Sequence, residues 1–433
     1  MKAFKSMAVL LAACMFTGCS GNTVSQSSSQ PESHTQSEHT EHEDSYYIKW
    51  AIPDSIGISD KTLSELNDKL EEKYDLGVRF ITLSDTAEGA AYQAELRKTD
   101  ADIAFLGFDD EGKKPCEQLI SEGLFEPLDE YLKGSELYDA IPSQLWECSV
   151  YNGSTYVIPN ETVQDIGVNI VFDLDRIDKE KAVSFNGDIT KLPENLGDEG
   201  VLGYGISGFD FMSYYGLYYA DGRLYSADGS QQDPLENEDA LNWLKTVNSL
   251  FLSGRATDDI NADRSVCITR DIMPISKKNT YVYKTKCIIG PRFSATTGIL
   301  KNSSDKERSF KLLQAVRLDT EIGDLLVYGS EAEIKDGQAF DENGEQIDGY
   351  VTRLVFGTNT GLLKSGAMLM SFDSFEERKK YYDENVIAFP SAGILTEADD
   401  RAVIFNGLSE IYKSKYIDND LQDAREKLHK AGA

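Results

Sequence analysis

Positive charge, histidine and cysteine are all scarce in this chain. Lys and Arg together number 43 against 74 Asp and Glu, giving a formal charge of −31. An excess of that sign argues against nucleic acid as a partner and against docking of the folded body on anionic headgroups. There are six cysteines; Cys14 and Cys19 lie near the amino terminus, leaving Cys116, Cys148, Cys267 and Cys287 in the body. No Cys-x-x-Cys occurs, so a zinc or thioredoxin-like site lacks its ligands. In an oxidising compartment the four body cysteines allow three full pairings, of which the in-order one, Cys116 with Cys148 and Cys267 with Cys287, is expected; the alternative is four small buried side chains. Three of the four histidines, His34, His39 and His42, sit in an acidic low-complexity stretch that can hold zinc loosely. A metal-delivering protein needs histidines converging in a cleft, and the body supplies only His429. A Gly-x-Ser-x-Gly elbow and a phosphate-binding glycine loop are both missing. With so many acids, a carboxylate pair of the glycosidase kind is compatible with composition, so a surface glycoside-processing enzyme stands as a rival reading.

What is present begins at the amino terminus. Lys2 and Lys5 precede an apolar run over residues 7–16, then Thr17-Gly18-Cys19-Ser20-Gly21-Asn22. A basic patch before a short apolar run reads as a secretory signal, too short to span a bilayer. Its ending resembles the bacterial lipobox, with Phe16 where leucine is usual, and predicts cleavage after residue 18 and a lipid on Cys19. Leu11-Ala12-Ala13-Cys14 is the competing match, but it leaves only a stub of apolar residues before the cut. Residues 19–45 are Ser, Gln, Thr, Glu and His with almost nothing apolar, a tether of about 28 Å if flexible. No later apolar run is long enough to be a membrane-spanning helix.

The body is longer than one core usually supports, which predicts two domains. Residues 46–51 read as a strand and 61–74 as a helix capped by Ser59-Asp60, with Leu63, Leu66 and Leu70 on one face. Strands follow at 78–83 and 101–107, with a helix over 93–98 between them. This alternation predicts parallel strands with crossover helices, whose ligands sit beyond the carboxyl ends of the strands. Further strands are expected at 167–172, 200–206, 265–269 and 286–289. Helices are expected at 237–252, 304–318, 319–328, 375–385, 399–414 and 419–430; Leu241, Leu244 and Leu252 mark the buried side of the first, and Trp243 reads as core. No internal repeat is visible.

The run Gly123-Leu124-Phe125-Glu126-Pro127-Leu128-Asp129-Glu130-Tyr131-Leu132, then Trp146, Asn152-Gly153, Tyr156 and Ile158-Pro159, resembles the family 1 extracellular solute-binding proteins of bacterial ABC importers. Ala101-Asp102-Ile103-Ala104-Phe105, Gly298-Ile299 with Asn302-Ser303-Ser304, and Leu325-Leu326-Val327-Tyr328-Gly329 extend the likeness in consistent order. The resemblance implies an α/β, two-lobe periplasmic-binding-protein-like fold with a hinge and an interlobe cleft. Lobe one would take 46–160 and about 286–330; lobe two would take 161–285 and about 331–433. It further implies capture of a small solute, with an oligosaccharide expected and peptide or metal as alternatives, and delivery to membrane permease subunits. The protein would be a monomer without cofactor or catalysis, held by its lipid on the outer face of the cell membrane of a Gram-positive bacterium.

Sugar clefts need flat aromatic faces and carboxylates or amides for hydroxyls. By the same resemblance, the segment after the strand ending at Ile206 faces the cleft, which nominates Phe209, Asp210 and Tyr214; a buried aromatic helix is the competing reading of that segment. Strand ends and hinge crossings nominate Trp50, Asp109, Asp110, Asn160 and Glu161. Arg270, Arg292 and Asn359 complete the set.

Overall fold

The computed structural model describes residues 47–84, 89–109, 115–160, 167–206, 208–220, 222–226, 230–259, 262–270, 279–335, 338–347, 349–358, 375–389 and 400–430. The signal, the tether with its histidines, Cys19, Asp110, Glu161 and Asn359 lie outside those residues.

Strand β1 (Tyr47–Pro53), helix α1 (Asp60–Tyr74), β2 (Gly77–Leu83), α2 (Gly89–Leu96) and β3 (Ile103–Phe105) follow one another as the alternation predicts. Ser59 caps α1 by accepting from the Thr62 N–H at 3.2 Å, and Asp75 ends it in the left-handed region at φ 54°. Leu66 and Leu70 are fully buried, as their spacing requires. Helix α3 (Pro115–Ser121) and short helices lead to β4 (Ile158–Pro159).

A second series then begins: β5 (Asn169–Asp173), β6 (Leu202–Tyr204), a 3-10 turn over Asp210–Tyr215, the hairpin β7 (Tyr218–Ala220) and β8 (Arg223–Tyr225), α4 (Glu238–Leu252), β9 (Ala256–Thr257), β10 (Val266–Thr269) and β11 (Thr280–Tyr283). The buried stripe of α4 is Trp243, Leu244, Val247 and Leu250, while Leu252 is 53 % exposed. The leucines alone had pointed one step around the helix; Trp243 fixes the true face by stacking on Phe211 at 4.9 Å.

Strand β12 (Cys287–Ile289) and β13 (Thr296–Ile299) follow, then α5 (Lys306–Leu318), α6 (Thr320–Tyr328), α7 (Tyr350–Phe356), α8 (Phe375–Asn385), β14 (Val386–Ala388), α9 (Asp400–Gly407) and α10 (Ile417–Lys430). The first sheet runs β2-β1-β3-β13-β4, with β1, β2 and β3 parallel and β13 antiparallel to β3 and β4. The second runs β9-β6-β10-β5-β11. Each sheet carries its own hydrophobic core.

Buried Asp102 ties distant parts of the first core: its carboxylate accepts from the Lys49 N–H at 3.0 Å, the Ser303 hydroxyl at 2.9 Å and the Ser304 N–H at 2.9 Å. This explains the Asn302-Ser303-Ser304 run ahead of α5. A buried carboxylate persists only when its oxygens are hydrogen-bonded.

Two expectations change. The four body cysteines are buried thiols and the in-order disulfides are not formed. Cys116 Sγ donates to the Leu106 carbonyl at 3.7 Å and Cys148 Sγ to that of Ile289 at 3.3 Å, both within the first core, whereas Cys267 stands on β10 of the second sheet and Cys287 belongs to the first core. The stretch after residue 331 does not stay with one core either. Val355, Phe356, Tyr382 and Val386 pack in the first, while Phe405, Ile411, Leu421 and Leu428 pack in the second.

Candidate functional site

Parallel strands gather their carboxyl ends at one edge, and there the side chains are freed from sheet packing. In the first sheet that edge follows β3, at Leu106, Gly107, Phe108 and Asp109. Because β13 runs antiparallel, its leading residues return to the same place. The Leu106 N–H donates to the Thr296 carbonyl at 2.9 Å, the Ala295 N–H to that of Gly107 at 2.8 Å and the Asp109 N–H to Ser294 Oγ at 3.1 Å. Ala295 sits at φ 53°, in the left-handed region that costs a non-glycine residue about 1 kcal/mol or more. Asp109 is half-buried, and its Oδ1 accepts from the Cys116 N–H at 3.1 Å at the start of α3. Arg292 is also half-buried; its N–H donates to the Cys148 carbonyl at 2.7 Å. Beside it, the half-buried ring of Tyr151 lies 6.1 Å from Phe293 and 6.4 Å from Tyr156.

In the second sheet the corresponding edge carries Tyr204 at the end of β6 with Gly205 after it, Thr269 at the end of β10 with Arg270 after it, and Tyr283 at the end of β11. The 3-10 turn covers it. Asp210, first in that turn, is half-buried, and loss of hydration pushes its carboxyl above the ordinary carboxylate range, opposed by the positive charge of Arg270. Arg270 is exposed. Tyr214 faces Trp243 at 5.2 Å and Tyr283 at 5.8 Å, and burial raises its hydroxyl pKa, with the neighbouring Tyr283 and Tyr215 adding to the effect. The edge thus offers a poorly solvated carboxyl, a guanidinium and several tyrosine hydroxyls, groups suited to hydrogen-bonding a polar uncharged molecule.

Not every nominated residue stands at an edge. Trp50 is fully buried, edge-on to Phe356 at 5.3 Å and 6.3 Å from Phe80. Phe209 is 1 % exposed among Phe211, Tyr219 and Phe405 at 5.3–5.9 Å. Asn160 is buried and donates to Thr297 Oγ1 at 2.6 Å and to the carbonyls of Leu354 and Val355 at 3.0 Å. Next to it the buried Arg317 guanidinium donates to the Pro159 carbonyl at 2.8 Å and to that of Gly357. These are core and framework roles. Asp210 and Arg270 thus lie within electrostatic reach of each other with Tyr214 in the same turn as Asp210, while near the first sheet Asp109 is held beside Ser294 and Arg292 beside Cys148. Sequence reasoning passed over Phe108, Tyr151, Ser294 and Tyr283; the Asn152-Gly153 turn was the available signal for Tyr151, since it folds residues 150–155 into a hairpin.

Among the described residues no group of His, Cys, Asp and Glu is arranged to hold a metal ion. No described helix is long and apolar enough to cross a membrane.

No known family's sequence profile matches this chain, and no curated protein matches it. Among solved structures, the N-glycan transport solute-binding protein of Streptococcus pneumoniae is 17 % identical, with 89 % of this chain and 96 % of that chain covered and a TM-score of 0.54. An extracellular solute-binding protein from Bifidobacterium longum subsp. infantis is 13 % identical over 89 % of this chain and 95 % of its own, at a TM-score of 0.48. The S. pneumoniae ABC-transporter substrate-binding protein FusA, solved with kestose, is 14 % identical over 89 % and 96 %, at 0.46. The first of these likenesses carries the fold: this chain shares the two-domain α/β fold of that solute-binding protein.

Proposed function

We propose that the protein captures a small polar solute, an oligosaccharide before other classes, and hands it to the permease subunits of an ABC importer. The supporting observation is the setting of Asp210, Tyr214 and Arg270 at the strand ends of the second sheet, matched by Asp109, Arg292 and Tyr151 at those of the first, in a fold that closes by hinge motion. Ligand would bind both edges and shift an open–closed equilibrium, with no covalent chemistry. Lobe one is assigned to 47–160, 287–356 and 375–388, and lobe two to 167–283 and 400–430, on core membership. The chain acts as a monomer outside the cell, anchored by a lipid on Cys19; mass spectrometry that finds Cys14 lipidated, or no lipid, overturns the anchor. Asp110, Glu161 and Asn359 remain proposed contacts.

A thermal-shift screen of the full chain against oligosaccharides and peptides tests the solute class. A ligand at 100 times its dissociation constant adds about 2.7 kcal/mol to stability. A shift with peptides alone would sink the carbohydrate assignment, and turnover of an oligosaccharide would replace binding by catalysis.

A further inference from the structure

Among the described residues the chain changes core three times, after β4, between β11 and β12, and after β14. The crossings are stitched side by side. Thr285 Oγ1 donates to the Val168 carbonyl at 2.7 Å, joining the first to the second. Strands β12 and β14 pair in parallel, and the Phe389 N–H continues that ladder to the Ile289 carbonyl at 2.8 Å.

A third, small hydrophobic core sits on this ribbon: Tyr225, Ile288 and Phe389 are buried, with Tyr218, Ala220 and Ile387 packed against them. Tyr218 and Tyr225 come from the β7–β8 hairpin; Ile288, Ile387 and Phe389 come from the crossings. The Tyr218 ring stacks on Phe389 at 5.0 Å, and Tyr225 lies 5.4 Å from the same ring. Tyr218 also lies so close to the backbone of Gly290 that a β-carbon there would overlap the phenol. Alternation along β7 divides its duties: neighbouring Tyr219 points instead into the second core, 5.3 Å from Phe209.

We propose that the β7–β8 hairpin is a latch on the hinge, in which Tyr218 and Phe389 are positioning residues that set the balance between arrangements of the two lobes. The hairpin is rooted in lobe two by Tyr219 and grips the crossing strands by Tyr218. Relative rotation of the lobes must either carry the hairpin along or slide Tyr218 off Phe389 and Gly290. Packed cores are bistable rather than continuously deformable, so such a contact is either made or broken. The inference rests on the two-lobed fold and not on the identity of the solute, and its test uses no ligand.

Hydrogen exchange and small-angle scattering of the full chain decide it. In Tyr218→Ala, the amides of Phe389 and of β12 should exchange roughly tenfold faster, while those of β1 and β10 stay within about twofold of the unaltered protein. The radius of gyration should change with unaltered circular dichroism. Tyr218→Phe keeps the stack and should match the parent. Phe389→Leu, which retains volume but loses the stack, should repeat the local effect. Unchanged protection at Phe389 overturns the proposal; so does faster exchange in β1 and β10 to the same degree in both variants, because the cluster is then ordinary core. A radius of gyration unmoved in both variants overturns it as well.

Discussion

The first sheet takes β1, β2 and β3 from consecutive elements, whereas in the second no two neighbouring strands follow one another in the chain. Their cores differ in density of rings as well. The larger first core spreads Trp50, Tyr92, Phe105, Phe125, Trp146, Phe293, Phe310, Phe356 and Tyr382 among many aliphatic side chains, while the smaller second gathers Phe172, Phe185, Tyr204, Phe209, Phe211, Trp243, Phe405 and Tyr412. Ring geometry orders this second set: Trp243 lies flat on Phe211 and its Nε1 donates to the Tyr204 hydroxyl at 3.1 Å. Local alternation suffices to build β1, β2 and β3 of the first sheet, to which β13 is added from far along the chain; the second sheet depends throughout on distant partners, among them large flat side chains, each pair adding about 0.5–1.5 kcal/mol beyond burial.

The largest expected effects come from cutting one core at a time. Trp50→Ala and Phe209→Ala should each cost about 3–5 kcal/mol in urea unfolding. If the cores are separate units, hydrogen exchange should speed up in β1–β3 for the first variant and in β6 and β10 for the second. Equal acceleration everywhere would break the comparison and make the two lobes one cooperative unit.

A smaller effect sharpens the contrast between edge and core. Asp210 has a raised pKa in the folded protein, so the native state holds its proton more tightly than the unfolded chain. Between the ordinary value of about 4 and the native value, stability therefore falls as pH rises. Asp210→Asn should flatten that part of the profile and raise the melting temperature at pH 7. A melting profile identical to the parent between pH 4 and 7 would show that Arg270 fully offsets the burial.

The smallest effect belongs to the surface of the first lobe. Burial disfavours the Asp319 carboxylate, but hydrogen bonds from Lys73 at 2.9 Å, from Tyr74 at 3.0 Å and from the Glu321 and Ile322 N–H groups outweigh it and hold the pKa low. That contribution is present above the ordinary carboxylate pKa and is lost as pH falls through the native one. Asp319→Asn should cost on the order of 0.5 kcal/mol at pH 7 and nothing in strong acid, read from melting curves.

The same contrast explains what could be read from the residues alone. The spans of β1, α1, β2, α4, α5 and α6 follow from periodicity and from caps such as Ser59 and Asn237, which act within a few residues. Strands β11 and β13 and the β7–β8 hairpin were passed over, being only three or four residues long and defined by partners far away. At the candidate site, Asp210 and Tyr214 were nominated by the resemblance, in a segment just past a strand. Trp50 and Phe209 look the same by that criterion, and only Phe356 and Phe405, contributed from the far end of the chain, settle them in the interior. The cysteine pairing failed for a like reason: spacing along the chain carries no information on which thiols meet.

Threading the hinge three times means that neither lobe is one uninterrupted piece of chain. The first core waits for Tyr382 and Val386, and the second for Phe405, Ile411, Leu421 and Leu428. A nascent chain released before α8 would leave both halves open at once, so no cut between the sheets yields a half that folds alone. Production by splitting or early truncation should give insoluble material from either side, whereas exposed turns within one lobe, such as Asn343-Gly344, are the places where the chain tolerates insertion.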